Sequence, residues 1–335
     1  MKRFPRIIAG ALILLIVMLG LTSCLGQSLR KFEATRSMMD TFVTITVYSL
    51  DEQAAEEAIK AAFARMVEIE QVASIFDQES EAFRLNQEGR ITEPSDDLRQ
   101  LITMSLDYYR LTDGYFDITV QPLLELWEFG LWQESQLVQE LRISEAMPLV
   151  GSDKIVVTDD EIYFSVEGMK ITLGGIAKGY AAEEALKVLE NMGIEHALVN
   201  AGGDISTLDA KPHSEPWSIN LVNPDNTTQS LANFIVIDKA VATSGNYERY
   251  FDPNREAHHI INPKTGFSAQ ESISVTIIAE NLVQADALAT AVFAMGPEAG
   301  IELVESIERT EALIVGADRT KVYVSSGLAK YMSEG

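Results

Sequence analysis

Cysteine is almost absent from this sequence, whose 335 residues contain one, Cys24. A disulfide within the chain needs two cysteines, so none can form. Basic residues are also scarce, because 26 lysines and arginines stand against 50 aspartates and glutamates, giving a formal net charge of −24. Nucleic acids are bound mainly through clustered Lys and Arg, so this balance argues against a nucleic-acid partner. An acidic surface also repels an anionic dinucleotide, and such a ligand would require a local cation or a metal.

Long apolar runs are absent except near the N-terminus, between residues 7 and 21. Lys2, Arg3 and Arg6 precede this run, and small residues lead from it to Cys24. These features are typical of a secretory signal, and the run is shorter than the about 20 residues of a membrane span. We therefore predict a signal peptide over residues 1–23.

The position of Cys24 resembles that of the acylated cysteine in bacterial lipoprotein signals. This resemblance implies cleavage before Cys24 and lipid attachment to its sulfur and its new amino group. The alternative is an uncleaved N-terminal anchor with an incidental cysteine. Both alternatives predict a folded part outside the cytoplasm and on a membrane, at the bacterial cell surface or in the periplasm.

The sequence pattern of the remaining residues predicts strands in neighbouring hairpins mixed with helices. This part of the sequence contains no internal repeat and no Pro/Gly-rich linker. We interpret residues 24–31 as a tether and residues 32–335 as one domain. Alternation predicts strands over 42–48, 154–158, 162–166, 169–173, 196–200, 217–222, 234–237, 272–279, 311–315 and 321–324. Helical spacing predicts helices over 51–72, 95–109, 181–192, 285–294 and 297–305. This pattern favours an α+β fold over a doubly wound sheet.

Two segments carry aromatic residues or glycines next to predicted turns. Residues 112–117 read Thr-Asp-Gly-Tyr-Phe-Asp, which fits either a helix end with aromatic packing or a surface that stacks a flat ring. Residues 173–180 read Leu-Gly-Gly-Ile-Ala-Lys-Gly-Tyr, a strand that enters a glycine-rich helix start. Backbone N–H groups at such a start, with a lysine nearby, can bind an anion. An ordinary connection between strand and helix fits this segment equally well.

Two further segments follow predicted strands. Residues 199–204 read Val-Asn-Ala-Gly-Gly-Asp, where the glycines permit either close approach to a ligand or only a tight turn. Residues 243–247 read Thr-Ser-Gly-Asn-Tyr and supply small hydroxyls after a strand.

The C-terminal half adds candidate metal ligands. Asp286 and Thr290 are spaced i and i+4, so they share one face of a predicted helix. A small number of hard oxygen ligands is typical of a Mg²⁺ site, because Mg²⁺ retains positions for water and substrate phosphate. The alternative is that Asp286 only forms a solvated helix start. His258 and His259 are adjacent and lack the spacing of a zinc motif.

In this order, the segments resemble the FAD:protein FMN transferase family, also called the ApbE family. The resemblance extends from about Arg36 to about Gly300. It includes Met39-Asp40-Thr41, Ser74 to Asn86, the four segments above, His-Ile-Ile-x-Pro-x-Thr-Gly from His259, and Ala-Asp-Ala-x-Ala-Thr ending at Thr290. The resemblance implies a T-fold-like α+β domain of antiparallel sheets packed with helices.

The resemblance also implies the function and the site. Family members use Mg²⁺ to transfer FMN from FAD to a Ser or Thr of a flavoprotein, releasing AMP. The implied FAD-lining residues are Met39, Phe76, Tyr115, Phe116, Asp117, Thr172, Lys178 and Ile260. The implied Mg²⁺ ligands are the carbonyl of Gly175 and the side chains of Asp286 and Thr290. Thr172 departs from the family, in which an aspartate usually precedes Leu-Gly-Gly.

The reaction needs a group that orients or deprotonates the acceptor hydroxyl. Asp286 is the first candidate, and His259 is the second, since an imidazole is a suitable base near neutral pH. The expected partner is an acceptor flavoprotein, the candidates being a subunit of a membrane redox pump or an extracytoplasmic reductase. Two other functions remain open at this point: hydrolysis of FAD to FMN and AMP, and FAD binding without catalysis.

Overall fold

An eight-stranded antiparallel sheet, ordered β1-β2-β6-β7-β10-β11-β12-β13, organises the protein. The computed structural model describes residues 28–223, 226–254 and 256–333. The strands are β1 (Arg30–Met38), β2 (Thr41–Ser49), β3 (Arg90–Thr92), β4 (Ile155–Val157), β5 (Glu161–Phe164), β6 (His196–Ala201), β7 (Asp204–Leu208), β8 (Trp217–Asn223), β9 (Asn226–Val236), β10 (Ala240–Gly245), β11 (Ser272–Ala279), β12 (Glu311–Gly316) and β13 (Val322–Val324). A small sheet, β3-β5-β4, and a hairpin, β8-β9, complete the strand arrangement.

Helices are placed between the strands. They are α1 (Glu52–Ala73), α2 (Glu81–Glu88), α3 (Asp96–Leu111), α4 (Gln121–Glu128), α5 (Gln136–Ala146), α6 (Ala177–Asn191), α7 (Leu282–Met295) and α8 (Pro297–Glu305). Side chains cap several helix starts, as the sequence predicts from Ser95, whose hydroxyl accepts from Leu98 N at 3.2 Å. No helix in the described ranges is both long and apolar enough to cross a membrane.

The two faces of the main sheet are covered differently. Helices α1, α6 and α7 pack on one face, in a large core that includes Phe63, Ala242 and Ile277. The β8-β9 hairpin covers the other face, where Trp217 and Phe234 join a second apolar cluster. Successive residues of a strand point to opposite faces, so the central strands contribute to both cores. The α+β class and the single compact domain predicted from the sequence are confirmed, because antiparallel sheets and helices share continuous apolar cores.

The turn between β1 and β2 has an unusual backbone. Met39 and Asp40 both have positive φ, 52° and 57°, as the central residues of a type I′ hairpin do. A bulky residue rarely adopts this conformation. The Met39 N–H donates to Glu70 Oε1 at 2.7 Å, which holds the turn against α1. The sequence did not predict β1, which begins at Arg30, inside the predicted tether of residues 24–31.

The prediction of a strand over residues 169–173 is wrong. Met169, Ile171 and Leu173 are buried alternately with partly exposed neighbours, as in a strand. However, the side chain of Asn86 hydrogen-bonds to both backbone groups of Ile171. It donates to the carbonyl at 2.8 Å and accepts from the N–H at 2.7 Å. The Thr172 N–H donates to Ile118 O at 2.7 Å. The backbone groups are therefore satisfied by a side chain and a loop instead of a neighbouring strand.

Candidate active site

The start of α6 packs directly on α7, and this contact positions Asp286. The Gly179 N–H donates to Asp286 Oδ2 at 3.0 Å, so a carboxylate from one helix caps the other. Glycine is needed there, because a Cβ at position 179 would lie 2.6 Å from Leu282 O and 2.9 Å from Asp286 Cβ. Asp286 is 5% exposed. The structure therefore holds this carboxylate at a fixed place beside a helix N-terminus.

Thr290 lies one turn after Asp286 on α7 and faces the glycine-rich segment. A Cβ at position 175 would lie 3.1 Å from Thr290 Oγ1 and 3.2 Å from the ring of Phe116. Phe116 is 2% exposed and packs edge-to-face with Tyr108. Gly175, Asp286 and Thr290, the three predicted metal ligands, are thus brought together at the α6-α7 contact.

Lys178, in the first turn of α6, points to a carboxylate that follows the Gly202-Gly203 turn. Its ammonium donates to Asp204 Oδ2. The other oxygen of Asp204 accepts from Thr243 N at 3.2 Å, which connects β7 to the end of β10. The side chain of Lys178 is 30% exposed, whereas that of Asp204 is 3% exposed. The pair therefore lies at the boundary between the core and solvent.

Burial and charge shift the acid–base behaviour of this cluster. Burial raises the pKa of Asp286 to about 7, and the neighbouring ammonium of Lys178 opposes this increase. Burial alone would lower the pKa of Lys178, but the carboxylates of Asp204 and Asp286 outweigh it and raise that pKa. Burial also raises the pKa of Glu248, the third acid that acts on Lys178.

Two histidines follow on the 258–260 segment. His258 is fully buried, and its Nε2 lies 2.8 Å from Ala269 O. His259 Nδ1 lies 3.3 Å from Arg249 O. Burial lowers the pKa of His259 to about 4; the hydrogen bond to Arg249 O opposes this shift, whereas the electrostatic effects of His258, Arg249 and Lys178 add to it. His259 is therefore neutral at pH 7, and the positive charge of Lys178 is near enough to influence its pKa. Ile260 is 5% exposed and donates its N–H to His258 Nδ1 at 3.3 Å.

The predicted aromatic loop has two different environments. Tyr115 is partly exposed, with Lys264 Nζ 5.5 Å from its ring centroid. Asp117 instead points inward, where its carboxylate accepts from the hydroxyls of Thr119 and Ser152, both at 2.6 Å. The structure therefore places the Asp117 carboxylate in an internal hydrogen-bond network.

A groove of about 290 Å³ is lined in part by α4. Its lining includes Phe76, 69% exposed, and Phe129, 83% exposed, together with the ion pair between Lys170 and Glu125. Asn86, which also lines the groove, binds the backbone just before Thr172. The segment from Lys170 to Lys178 therefore runs from the groove to the lysine–carboxylate cluster.

The site residues fit a bound Mg²⁺. Asp286 Oδ1 and the Thr290 hydroxyl make no hydrogen bond to any other residue that the structure describes, so both are available as ligands. Three carboxyl groups, those of Asp204, Glu248 and Asp286, act on the ammonium of Lys178, and a divalent cation would stabilise their ionised forms. No group of three or more His, Cys, Asp or Glu side chains in the described ranges is placed to hold a metal, so Asp204 and Glu248 do not join the ligand set, which consists of one carboxylate, one hydroxyl and one carbonyl.

Sequence reasoning missed Asp204 and Glu248 as members of the site. Asp204 directly follows the Gly-Gly pair, and this acid was the available signal. Its partner could not be inferred, because the contact with Lys178 depends on how α6 crosses β7. The predicted lipidation residue, Cys24, lies outside the described residues.

A buried acid, a hydroxyl and a lysine meet at a glycine-rich helix start, an arrangement suited to binding phosphate groups. The ApbE family model matches residues 39–314, and the chain belongs to the ApbE family.

Similar proteins and structures agree with this assignment. The FAD:protein FMN transferase of Vibrio cholerae is 30% identical over 277 residues, covering 80% of this chain and 82% of that protein. The FAD:protein FMN transferase of Haemophilus influenzae is 28% identical over 274 residues, covering 78% and 79%. The crystal structure of the ApbE protein from Thermotoga maritima has a TM-score of 0.82 and 32% identity, covering 91% of this chain and 100% of that chain.

Proposed function

We propose that this protein is a FAD:protein FMN transferase, which moves FMN from FAD to a Ser or Thr hydroxyl of an acceptor flavoprotein and releases AMP. The observation that carries the proposal is the α6-α7 contact, where Gly175, Asp286 and Thr290 meet next to Lys178. The relatives from Vibrio cholerae and Haemophilus influenzae bear the name FAD:protein FMN transferase. The proposal therefore combines family membership with a site suited to phosphoryl transfer.

Each group has a distinct role in this proposal. Asp286, Thr290 and the Gly175 carbonyl would hold Mg²⁺, which when bound neutralises diphosphate charge and stabilises the AMP leaving group. Lys178 binds the phosphates from the start of α6. The groove beside Phe76 would receive the flavin end of FAD, since exposed aromatic rings stack on flat rings.

The proposed step exchanges one bond to phosphorus for another. The acceptor oxygen bonds to the phosphorus on the FMN side of the diphosphate, and the bond from that phosphorus to the bridging oxygen breaks. AMP leaves with the electron pair of that bond, and the hydroxyl proton passes to a base.

His259 is the better candidate for the base. A carbonyl can only accept, so the contact with Arg249 O places the proton on Nδ1 and leaves the lone pair on Nε2. Its pKa of about 4 keeps the ring neutral, although the same shift makes it a weaker base than an ordinary imidazole. Asp286 must stay ionised to hold a cation, so a metal role competes with a role as base.

The test is incubation with FAD, Mg²⁺ and a candidate acceptor, followed by mass spectrometry of the acceptor and chromatography of the nucleotides. A transferase yields AMP and covalently flavinylated acceptor in equal amounts. An acceptor Thr→Val variant should not become flavinylated. Free FMN with every authentic acceptor would show a hydrolase instead, and intact FAD would show a carrier. FMN offered as donor is the control, because it lacks the AMP leaving group.

We further propose a lipid anchor at Cys24 that places the enzyme on the outer side of the cell membrane. The basic residues, short apolar run and single cysteine of the N-terminus support it. The acceptor would then be an extracytoplasmic flavoprotein, such as an exposed subunit of a membrane redox pump.

A further inference from the structure

Asp204 is a buried acid whose two oxygens face different partners. It is 2% exposed; Oδ2 accepts from the Lys178 ammonium, and Oδ1 accepts from the backbone of Thr243. We propose that Asp204 is a positioning residue for the transfer reaction, which holds the Lys178 ammonium where it meets the phosphate that is being transferred. The inference rests on the proposed function and adds a residue to its machinery.

The backbone around Asp204 explains why its side chain is rigid. Strands β7 and β10 pair through Ile205 and Val241, and their paired residues end there. Beyond that point, Asp204 reaches across with its carboxylate to the Thr243 N–H, while the Thr243 hydroxyl lies 2.9 Å from that of Thr276 on β11. The carboxylate is therefore fixed to the sheet before it meets Lys178.

The contact with Asp204 restricts the side-chain conformation of Lys178. A lysine side chain has four rotatable bonds, and fixing it has an entropic cost. Its backbone is already placed, because the next residue, Gly179, is bound to Asp286. With Asp204 holding the ammonium, both ends of Lys178 are set before FAD arrives, and groups placed in advance need no reorganisation during the reaction.

A purely structural role is the competing explanation, since Asp204 also joins β7 to β10. Asp204→Asn separates the two roles, because its amide oxygen can still accept from Thr243 N–H but carries no charge for Lys178. Lys178→Met removes the ammonium while keeping much of the apolar stem. The double variant leaves neither charge unpaired in the core, so it stays informative if Asp204→Asn is unstable.

The experiment is a double-mutant cycle on Lys178→Met and Asp204→Asn, measuring kcat for FMN transfer and the Kd for FAD in EDTA by flavin fluorescence. We expect Asp204→Asn to lower kcat by about 10- to 100-fold, as loss of an orienting partner typically does. The Kd should change little, because removing a negative charge near the diphosphate offsets the entropic cost of fixing Lys178 on binding. In the Lys178→Met background, Asp204→Asn should change kcat by less than about twofold, since coupled residues are not additive.

Several results would overturn this inference. Losses that multiply in the double variant, a weaker Kd that accompanies the lower kcat, or unchanged kcat in Asp204→Asn would each show that Asp204 does not act through Lys178. Asp209→Asn is the matched control, since Asp209 follows β7 directly and its side chain is 62% exposed. Wild-type protein that flavinylates no acceptor would contradict the proposed function itself, whereas active wild type with fully active Asp204→Asn contradicts this inference alone.

Discussion

At the scale of single residues, Asp286 combines two demands that oppose each other. Its burial favours the neutral acid, whereas a metal ligand must be ionised. The Gly179 N–H and the Lys178 ammonium stabilise the charged form only in part, so the pKa remains raised to about 7. In a protein that binds its cation here, the cation would supply the missing stabilisation. The same carboxyl should therefore make the metal-free protein sensitive to pH.

The first prediction concerns this sensitivity. In EDTA, Asp286 holds its proton more tightly in the folded chain than in the unfolded chain, where a carboxyl titrates near about 4. Its contribution to stability is thus complete below about pH 4 and is lost as pH rises through about 7. We expect the Tm of wild type to fall more between about pH 5 and pH 8 than that of Asp286→Asn, which carries no charge. Mg²⁺ at the higher pH should raise the wild-type Tm only. Parallel Tm curves for the two proteins would contradict the prediction.

The second prediction concerns His259. Removal of a general base typically lowers kcat by about 10² to 10⁴. We expect His259→Gln to lose transfer to this extent while binding FAD with nearly wild-type affinity, because the ring acts on the acceptor hydroxyl. The measurements are initial rates of flavinylation and titration of flavin fluorescence. His213→Gln serves as the control, since His213 is exposed on a surface turn. A nearly normal kcat in His259→Gln would show that another group acts as the base.

At the scale of elements, the contact between α6 and α7 determines the site. Helices usually pack through side chains, about 8–10 Å apart, but here Gly179 brings the backbone of α6 against Leu282 and Asp286. Because α7 carries the acid and α6 carries the lysine, a shift of one helix would separate the two. Close packing is therefore a functional requirement at this point.

The third prediction tests that packing with Gly179→Ala. Alanine favours a helix by about 1 kcal/mol over glycine, but its Cβ would lie 2.6 Å from a carbonyl oxygen. Overpacking typically costs about 1–3 kcal/mol, so we expect a lower Tm and a loss of Mg²⁺-dependent transfer. In Gly174→Ala, the new Cβ would meet only Thr172 Oγ1, at 3.5 Å, and the Tm should remain near wild type. A higher Tm for Gly179→Ala would show that the helices separate at little cost.

The same elements show which parts of the fold the sequence could predict. Helical spacing identified α1 and α3, because their apolar residues recur every three or four positions, whereas α7 is apolar around nearly its whole circumference. Strand β1 was missed, since its exposed edge carries charged residues such as Arg30 and Glu33 instead of a clear apolar alternation. Residues 169–173 alternate in burial, yet Asn86 supplies the hydrogen bonds that a neighbouring strand would otherwise provide. Periodicity reports burial, and it does not report the source of the backbone hydrogen bonds.

The same limit applies to the site residues: periodicity identifies residues that share a face of one element, but not contacts between elements. Asp286 and Thr290 could be paired from the sequence, because i and i+4 share a helix face. The Lys178–Asp204 pair could not, since its members are 26 positions apart and lie on two different elements, α6 and β7. Nor could the inward direction of Asp117, which depends on Ser152 in a distant turn.

At the scale of the whole molecule, the strongest feature is the negative charge. The formal net charge is −24, and cleavage before Cys24 would remove three more positive charges, Lys2, Arg3 and Arg6. Anionic membranes attract basic surfaces, so the folded domain has no electrostatic reason to adhere to them. Retention at a membrane would then depend on the N-terminus.

The fourth prediction follows from this dependence on the N-terminus. We expect the mature protein to begin at Cys24, to carry a lipid label, and to sediment with membranes. Cys24→Ala should lose the label, because no other cysteine can be acylated. As control, the domain from residue 28 onward, secreted behind a cleavable signal without a cysteine, should remain soluble and should not bind anionic vesicles. The measurements are N-terminal mass spectrometry, metabolic lipid labelling and fractionation. An unchanged lipid label in Cys24→Ala, or vesicle binding by the anchor-free domain, would show that the membrane contact has another origin.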